Sequence, residues 1–489
     1  MELKPLTAKK INDYTRKKVG EIEVLELSEK SLDEILKEFK SIQSALSKTP
    51  IENRLKTFNE VGLIWRRKLD NGELENLKKT LSELTGYSES LVELEFNLVS
   101  YMLSEKNIRS NLEAAFSKGI QGLWKFTKIA ENEYYKFMPA GPVFIVSSGN
   151  SMIPPLIPTT LSLVTGNLTI LKPSISNYLG VVEVYKSLEE LSKHDENAAI
   201  IFSALVISYF AHDSPVLKYL LTKTKLGVVN FWGADPARIM IAKLVAENQN
   251  HPRLVINGPL TGLAIIDAES ANTAAKELAL NIVLYDQQLC SSPTQAVFIG
   301  RLEEAISFAE NVGRYLDAIG EKLKMKTKEG SLYLLQSARR ALQLKGVKVL
   351  FSNNRENPWT IVVSKDKSSL EFLSESLPEF NIYNRRRFIE IIVVEKATDA
   401  FKIIESVTLN PAFKDVDKIQ SIGLALSDSN KNKIIEELPA TGIYRITSLA
   451  DMYMRSPLEP YDGASIPSLF TYTVYRRDVK HPYEITDLF

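Results

Sequence analysis

The chain is 489 residues long, 44% hydrophobic and 25% charged, an ordinary globular composition with room for roughly 2–4 domains and a large core. Lys plus Arg number 60 and Asp plus Glu number 60, and this zero balance removes the electrostatic footprint of a nucleic-acid or anionic-membrane binder. A single cysteine and four scattered histidines (His194, His212, His251, His481) exclude an intramolecular disulfide and offer no Cys/His zinc site, so no metal is expected.

In chain order, "MELKPLTAKKINDYTRKK" lacks the apolar core of a signal peptide, which points to a cytoplasmic protein. Residues 1 to about 125 read as mainly helical. "SLDEILKEFKSIQSALSK" (31–48) and "NRLKTFNEVGLIWRRKLD" (53–70) place apolar residues three and four apart, with Ser31 as candidate cap. The character changes after 125. "GPVFIVSSGN" (141–150) is a strand running into a turn, "PPLIPTTLSLVTGN" (154–167) a helix with a Gly-Asn stop, and "LTILKPS" (168–174) a strand ending on Lys-Pro. "NAAIIFSALVIS" (197–208) reads as a strand, and "SPVLKYLLTKT" as a helix started by Pro215. The apolar run 198–211 falls short of the ~20 residues a spanning helix needs, so no integral membrane segment is expected. "LGVVNFWGAD" (226–235) is a strand and turn before the helix "PARIMIAKLVAEN". Strands alternating with helices predict a parallel sheet covered on both faces, a Rossmann-like region, although no G-x-G-x-x-G fingerprint is present.

A second α/β block begins near 256 with the strand "GLAIID" (262–267), the helix "NTAAKELALNIVLYDQQ" (272–288) and the strand "TQAVFIG" (294–300). Further strands are predicted at 347–351, 359–363, 388–395 and 421–426. The basic runs "NRRRF" (384–388) and "RRD" (476–478) read as solvated faces. "ASIPSLFTYTVYRRD" (464–478) alternates apolar and polar residues after a Pro/Gly-rich passage. It reads as a strand that leaves its domain and pairs elsewhere, which points to a homo-oligomer.

The lone cysteine lies in "YDQQLCSSPTQ". By default such a residue is a small buried hydrophobe. Position argues otherwise: Cys290 falls between the polar helix end "DQQ" and the turn "SSP", a junction where a thiol faces a cleft and backbone N–H groups favour thiolate. This stretch resembles the active-site segment of the aldehyde dehydrogenase superfamily, above all its long-chain acyl-CoA reductase branch, the acyl-reductase component of bacterial luminescence. "SSGNSMIPPL" (147–156), "VTGNLTILKPS" (164–174), "VVNFWGAD" (228–235) and "YDGASIPSLFTYTVY" (461–475) resemble other landmarks in the family's order, over roughly residues 125 to 478.

The resemblance implies an α/β fold of aldehyde-dehydrogenase type: a Rossmann-type cofactor domain, an α/β catalytic domain and a strand-rich oligomerisation arm. The expected division is 1–255 for the N-terminal helices and cofactor domain, with an arm strand near 128–143. Residues 256–445 form the catalytic domain, and 446–489 return to the cofactor domain and supply the oligomerisation strand. It implies Cys290 as nucleophile and Asn150 as oxyanion donor together with the Cys290 backbone N–H. It further implies Lys172 at the adenine ribose or its phosphate, and Gly233 and Ala234 beneath the pyrophosphate. Without the resemblance, Asn150 is a turn residue and Lys172 a solvated strand end.

Two departures bear on function. Where superfamily members carry a glutamate that activates water, this chain has "VINGPL", with Ile256 or Asn257 at the place according to the gap chosen. Where NAD-preferring members often have a carboxylate after Lys-Pro, this chain has Ile175, and Ser174 is placed to donate to a 2′-phosphate. The expected activity is reduction of long-chain acyl-CoA to aldehyde through a Cys290 thioester, with NADPH as hydride source (NADH as second choice) and coenzyme A as leaving group. The alternatives are a coenzyme-A-acylating aldehyde dehydrogenase running oxidatively and a non-catalytic cofactor-binding or assembly subunit.

Overall fold

The computed structural model describes residues 2–326, 329–382, 384–414 and 416–478. Three layers of structure position the site. The first sheet runs in the order Arg253–Asn257, Val228–Trp232, Val143–Val146, Thr169–Lys172, Leu205–Ile207, Leu6–Thr7. Its first five strands are parallel and the last is antiparallel. Val143–Val146 is wholly apolar and buried on both faces, as a central parallel strand must be. The second sheet has seven strands, in the order Lys348–Phe351, Thr360–Lys365, Phe388–Val394, Pro293–Ile299, Leu260–Asp267, Lys418–Ala425, Arg445–Ser448. All its pairings are parallel except that of the Lys348–Phe351 edge. A small antiparallel sheet joins Thr471–Arg477 to Glu133–Pro139 and Thr127–Ala130. No helix among the described residues is long and apolar enough to cross a membrane.

Six local expectations are corrected. The run 384–388 is no solvated face, since Arg385 and Arg387 are buried, and 464–478 is a strand only over Thr471–Arg477, after the short helix Ile466–Leu469. The chain opens with strands before its helices: Tyr14–Val19 pairs with Ile22–Leu27 through a two-residue turn at Gly20, whose φ of 60° suits glycine. The cap of the first helix is Ser28, which accepts from the Ser31 N–H at 3.1 Å, so Ser31 is inside the helix. Residues 197–203 are helical, within Glu196–Ser203, and only Leu205–Ile207 is strand. The apolar run hid the period, but Asp195, capping the Ala198 N–H at 2.7 Å, is the start signal. The helix before Cys290 ends at Val283 and does not reach Gln288, because Tyr285, Asp286 and Gln287 turn left-handed.

The N-terminal helices bury their apolar stripes against the first sheet's helices. Trp65, Phe58, Phe96 and Leu103 share one core with Val143, Ile145, Leu171 and Tyr285. This places Glu89–Leu103 and Glu105–Ala115 along one wall of the cleft between the two sheets.

Candidate active site

The cleft encloses about 440 Å³. Its lining includes Asn150, Gly233, Ala234, Asn257, Cys290, Arg455, Tyr461 and Asp462. It also includes Leu98, Tyr101, Met102, Ile153 and Ile157, an apolar wall supplied by the N-terminal helices and the helix Ile153–Val164.

Asn150 ends the turn that follows Val143–Val146. Gly149 must be glycine, since a Cβ there would stand 2.5 Å from Ser174 Oγ. The Asn177 amide donates to the carbonyls of Ser148 (2.9 Å) and Ser151 (2.7 Å), and the Tyr87 hydroxyl donates to the Asn150 carbonyl at 2.8 Å. The Asn150 side chain is oriented as well. Its Oδ1 accepts from Ser148 Oγ at 2.9 Å and its Nδ2 donates to the Gln288 carbonyl at 2.9 Å, leaving one amide hydrogen for the cavity.

Cys290 is positioned by the left-handed segment before it, with φ of 53° at Tyr285, 48° at Asp286 and 65° at Gln287. Non-glycine residues occupy that region at a cost, so strong bonds must hold them there. Arg387 donates to Asp286 Oδ1 from Nε (2.9 Å) and Nη2 (2.7 Å). The Gln287 amide donates to the carbonyls of Pro293 (2.7 Å) and Phe388 (2.9 Å) and accepts the Phe388 N–H at 2.8 Å. The polar "DQQ" run therefore anchors the loop to the second sheet. Beyond it, the backbone N–H of Cys290 bonds to no described residue and is free for a ligand.

The thiol is half-buried at the cavity floor. Burial, the largest influence, holds the thiol above its ordinary value; Arg455 offsets part of this, Asp462 adds to it, and the neighbouring Gln420 and Tyr461 side chains pull it back a little. Of the two residues offered for the expected glutamate's place, one reaches the cavity. Ile256 is 40% exposed on the outer face, and Asn257 lines the cavity. Asn257 is a neutral amide that accepts from Asn230 Nδ2 at 2.9 Å and donates to Asp462 at 3.1 Å. The sequence reading missed Arg455, Tyr461 and Asp462 as site residues. Their one signal was the "YDG" run, which was matched to a family landmark and given no role.

The cofactor candidates lie at the carboxyl ends of the first sheet's strands, where open α/β sheets bind ligands. Gly233 and Ala234 line the cavity beside the start of the helix Ala237–Ala246. Lys172 is not in the cavity lining: it lies buried at its strand end, with Nζ 4.8 Å from the Tyr209 ring centre. Burial lowers it to about 8, with Glu26 opposing, and its ammonium makes no hydrogen bond or ion pair to any described residue. A cation at a strand end with no hydrogen-bonded counter-ion fits an anionic ligand such as a dinucleotide. Ser174 sits against Gly149 and Ser176, with Ser176 Oγ 3.3 Å from its own Oγ. No group of three or more His, Cys, Asp or Glu among the described residues is arranged to hold a metal.

A family model described as acyl-CoA reductase (LuxC) matches residues 12–469. A search of curated proteins gives no match. Among solved structures, methylmalonate-semialdehyde dehydrogenase from Oceanimonas doudoroffii superposes with a TM-score of 0.69 at 14% identity, covering 98% of this chain and 99% of that one. An NAD-dependent benzaldehyde dehydrogenase from Corynebacterium glutamicum gives 0.65 at 14% identity, covering 96% and 94%. 1-Pyrroline-5-carboxylate dehydrogenase from Thermus gives 0.66 at 12%, covering 94% and 87%. The expected aldehyde-dehydrogenase fold is therefore present.

Proposed function

The chain belongs to the acyl-CoA reductase (LuxC) family and reduces acyl-CoA to aldehyde, and from that premise we propose how its residues do so. Cys290 Sγ attacks the acyl carbonyl, the carbon–sulfur bond to coenzyme A breaks, and a thioester on Cys290 results. The free amide hydrogen of Asn150 and the Cys290 backbone N–H receive the oxyanion as the carbonyl becomes tetrahedral. When bound, a nicotinamide dinucleotide, NADPH in this reading, would supply the hydride that reduces the Cys290 thioester to aldehyde. The neutral Asn257, in place of a glutamate, gives water no base and leaves the thioester for that hydride. Lys172 and the Gly233–Ala234 turn hold the dinucleotide at the sheet edge, with Ser174 beside the turn. The absence of a carboxylate at Ile175 favours the 2′-phosphate form over NADH. The apolar wall of Leu98, Met102, Ile153 and Ile157 suits a long acyl chain.

The observation that carries this reading is the convergence of Cys290 and an oriented Asn150 on one cavity, with the Cys290 N–H unbonded. Its test is incubation with a long-chain acyl-CoA without nucleotide, followed by intact-mass and peptide analysis. One acyl increment on the Cys290 peptide, discharged to aldehyde by NADPH and absent from Cys290→Ser, is the expected result. A wild-type enzyme that turns over without the adduct overturns the reading. Fluorescence titration should show tighter binding of NADPH than of NADH. The arm strand Thr471–Arg477 lies at a sheet edge with Tyr472 (51%) and Tyr475 (49%) exposed, which supports a homo-oligomer that light scattering would detect.

A further inference from the structure

With Asn257 in the place of a general base, the question is what makes the Cys290 sulfur reactive. The groups that face it come from one stretch of chain near the C-terminus. The Tyr461 ring is clamped between Trp232, with ring centres 4.5 Å apart, and the Arg455 guanidinium, 4.0 Å from its centre. The Trp232 indole is itself fixed by donating to Asn230 Oδ1 at 2.5 Å. Backbone bonds between Tyr461 and Ala464, at 2.8 and 3.0 Å, close the loop that carries the ring. So held, Tyr461 lines the same cavity as Cys290 and lies close enough to it that each shifts the other's proton affinity.

Arg455 is held differently. It stands 3.9 Å from Asp462, and its Nη2 is buried without a hydrogen-bond partner. Asp462 is occupied elsewhere: Gln420 donates to it at 2.5 Å and Asn257 at 3.1 Å. The titratable groups facing the sulfur are thus Arg455, Tyr461 and Asp462, all from the C-terminal segment; the two sheets' elements contribute the neutral amides of Gln420 and Asn257.

We infer that Tyr461 and Arg455 form a thiolate-holding pair for Cys290, Tyr461 as hydrogen-bond donor to the sulfur and Arg455 as its counter-cation, in place of a general base. Burial pushes the Tyr461 phenol far up, so it stays protonated and donates. Arg455 keeps one buried donor, Nη2, unused, and its charge acts on the sulfur as well as on the carboxylates of Asp462 and Glu459. Once hydride has added to the Cys290 thioester, the tetrahedral adduct collapses, the electron pair of the breaking carbon–sulfur bond returns to Sγ as the aldehyde leaves, and the same two groups receive it. Tyr461 touches the reacting atom and is a catalytic residue; Arg455 acts through charge and orientation.

This inference rests on the proposed nucleophile, and the test separates the two. Cys290 is the sole cysteine, so alkylation by iodoacetamide, followed by mass, reads this thiol alone. The apparent pKa of alkylation is measured for the wild type, Tyr461→Phe, Arg455→Met and Arg455→Lys, with thermal unfolding as a control on folding. Loss of one donor or of the cation should raise it by about one to two units, slowing alkylation at neutral pH about 10-fold or more. Arg455→Lys should restore part of the shift, which a merely structural role would not predict. Tyr461→Phe keeps the stacked ring and remains informative if Arg455→Met fails to fold. Unchanged alkylation pKa values in folded Tyr461→Phe and Arg455→Met overturn the pair, and acylation of Cys290 in those variants at alkaline pH would show the nucleophile still standing. Absence of acylation in every protein, wild type included, would instead sink the nucleophile.

Discussion

Two arginine–aspartate pairs lie either side of Cys290, and they are finished to different degrees. Arg387 and Asp286 are 1% and 3% exposed, and Arg387 also donates to Asn357 at 2.6 Å and to the Leu323 carbonyl. All three nitrogens of the Arg387 guanidinium have a partner, and its work is to pin a strained loop. Arg455 and Asp462 stand 3.9 Å apart, with a guanidinium nitrogen unused. A guanidinium with every nitrogen bonded is scaffold; one with a spare donor beside Cys290 has charge to lend. The same residue types do both jobs, and only the hydrogen-bond count around them tells which.

That contrast breaks most easily by removing the arginines. Arg387→Met leaves the Asp286 carboxylate buried and unpaired and should lower the unfolding free energy by about 3–5 kcal/mol in urea titration. Arg455→Met should lower it by only about 1 kcal/mol, since Asp462 keeps two amide donors. Equal losses would erase the distinction between scaffold and site. Next in size, Asn150→Ala should lower kcat about 10²–10³-fold, equivalent to about 2.7–4 kcal/mol, with the urea midpoint nearly unchanged. An Asn150→Ala enzyme of normal kcat would place the oxyanion elsewhere.

A third acid sharpens the comparison, because it is buried with no cation at all. Glu95 accepts from Ser151 Oγ and from the Met152 N–H at 3.1 Å, behind the Asn150 turn. Burial outweighs these bonds and pushes its carboxyl from 4.5 up to about 7. Since the folded value is raised, its contribution to stability is complete below 4.5 and lost as pH rises through about 7. Glu95→Gln should flatten that limb of the stability profile by about 1–3 kcal/mol, and an unchanged limb would mean the carboxyl ionises at its ordinary value. Smallest of all, Tyr87→Phe removes one hydrogen bond to the Asn150 carbonyl and should cost about 1 kcal/mol in kcat, a few-fold.

The sequence was most readable where local pattern and final burial agree. Val143–Val146 and Val228–Trp232 are apolar runs bounded by turns, and both sit in the first sheet's interior. Cys290, Asn150, Gly233 and Ala234 all reach the cavity. It was least readable where distant partners override local preference. Nothing near Tyr285 announces three left-handed residues; Arg387, Phe388 and Pro293 hold that conformation from the second sheet. Nor does any spacing bring Glu95 behind Ser151, or Arg455 and Tyr461 to Cys290. The opening hairpin was within reach, since "VGEIEVLEL" alternates around Gly20, but the helical periodicity downstream dominated the reading of that region.

The late position of Arg455, Tyr461 and Asp462 in the chain also sets a clock. During synthesis the loop bearing Cys290 leaves the ribosome long before the segment that faces it, and until then the sulfur has neither its donor nor its counter-cation. Until residues 455–462 pack against the cleft, the Cys290 thiol stands without the groups that offset part of the cost of its burial.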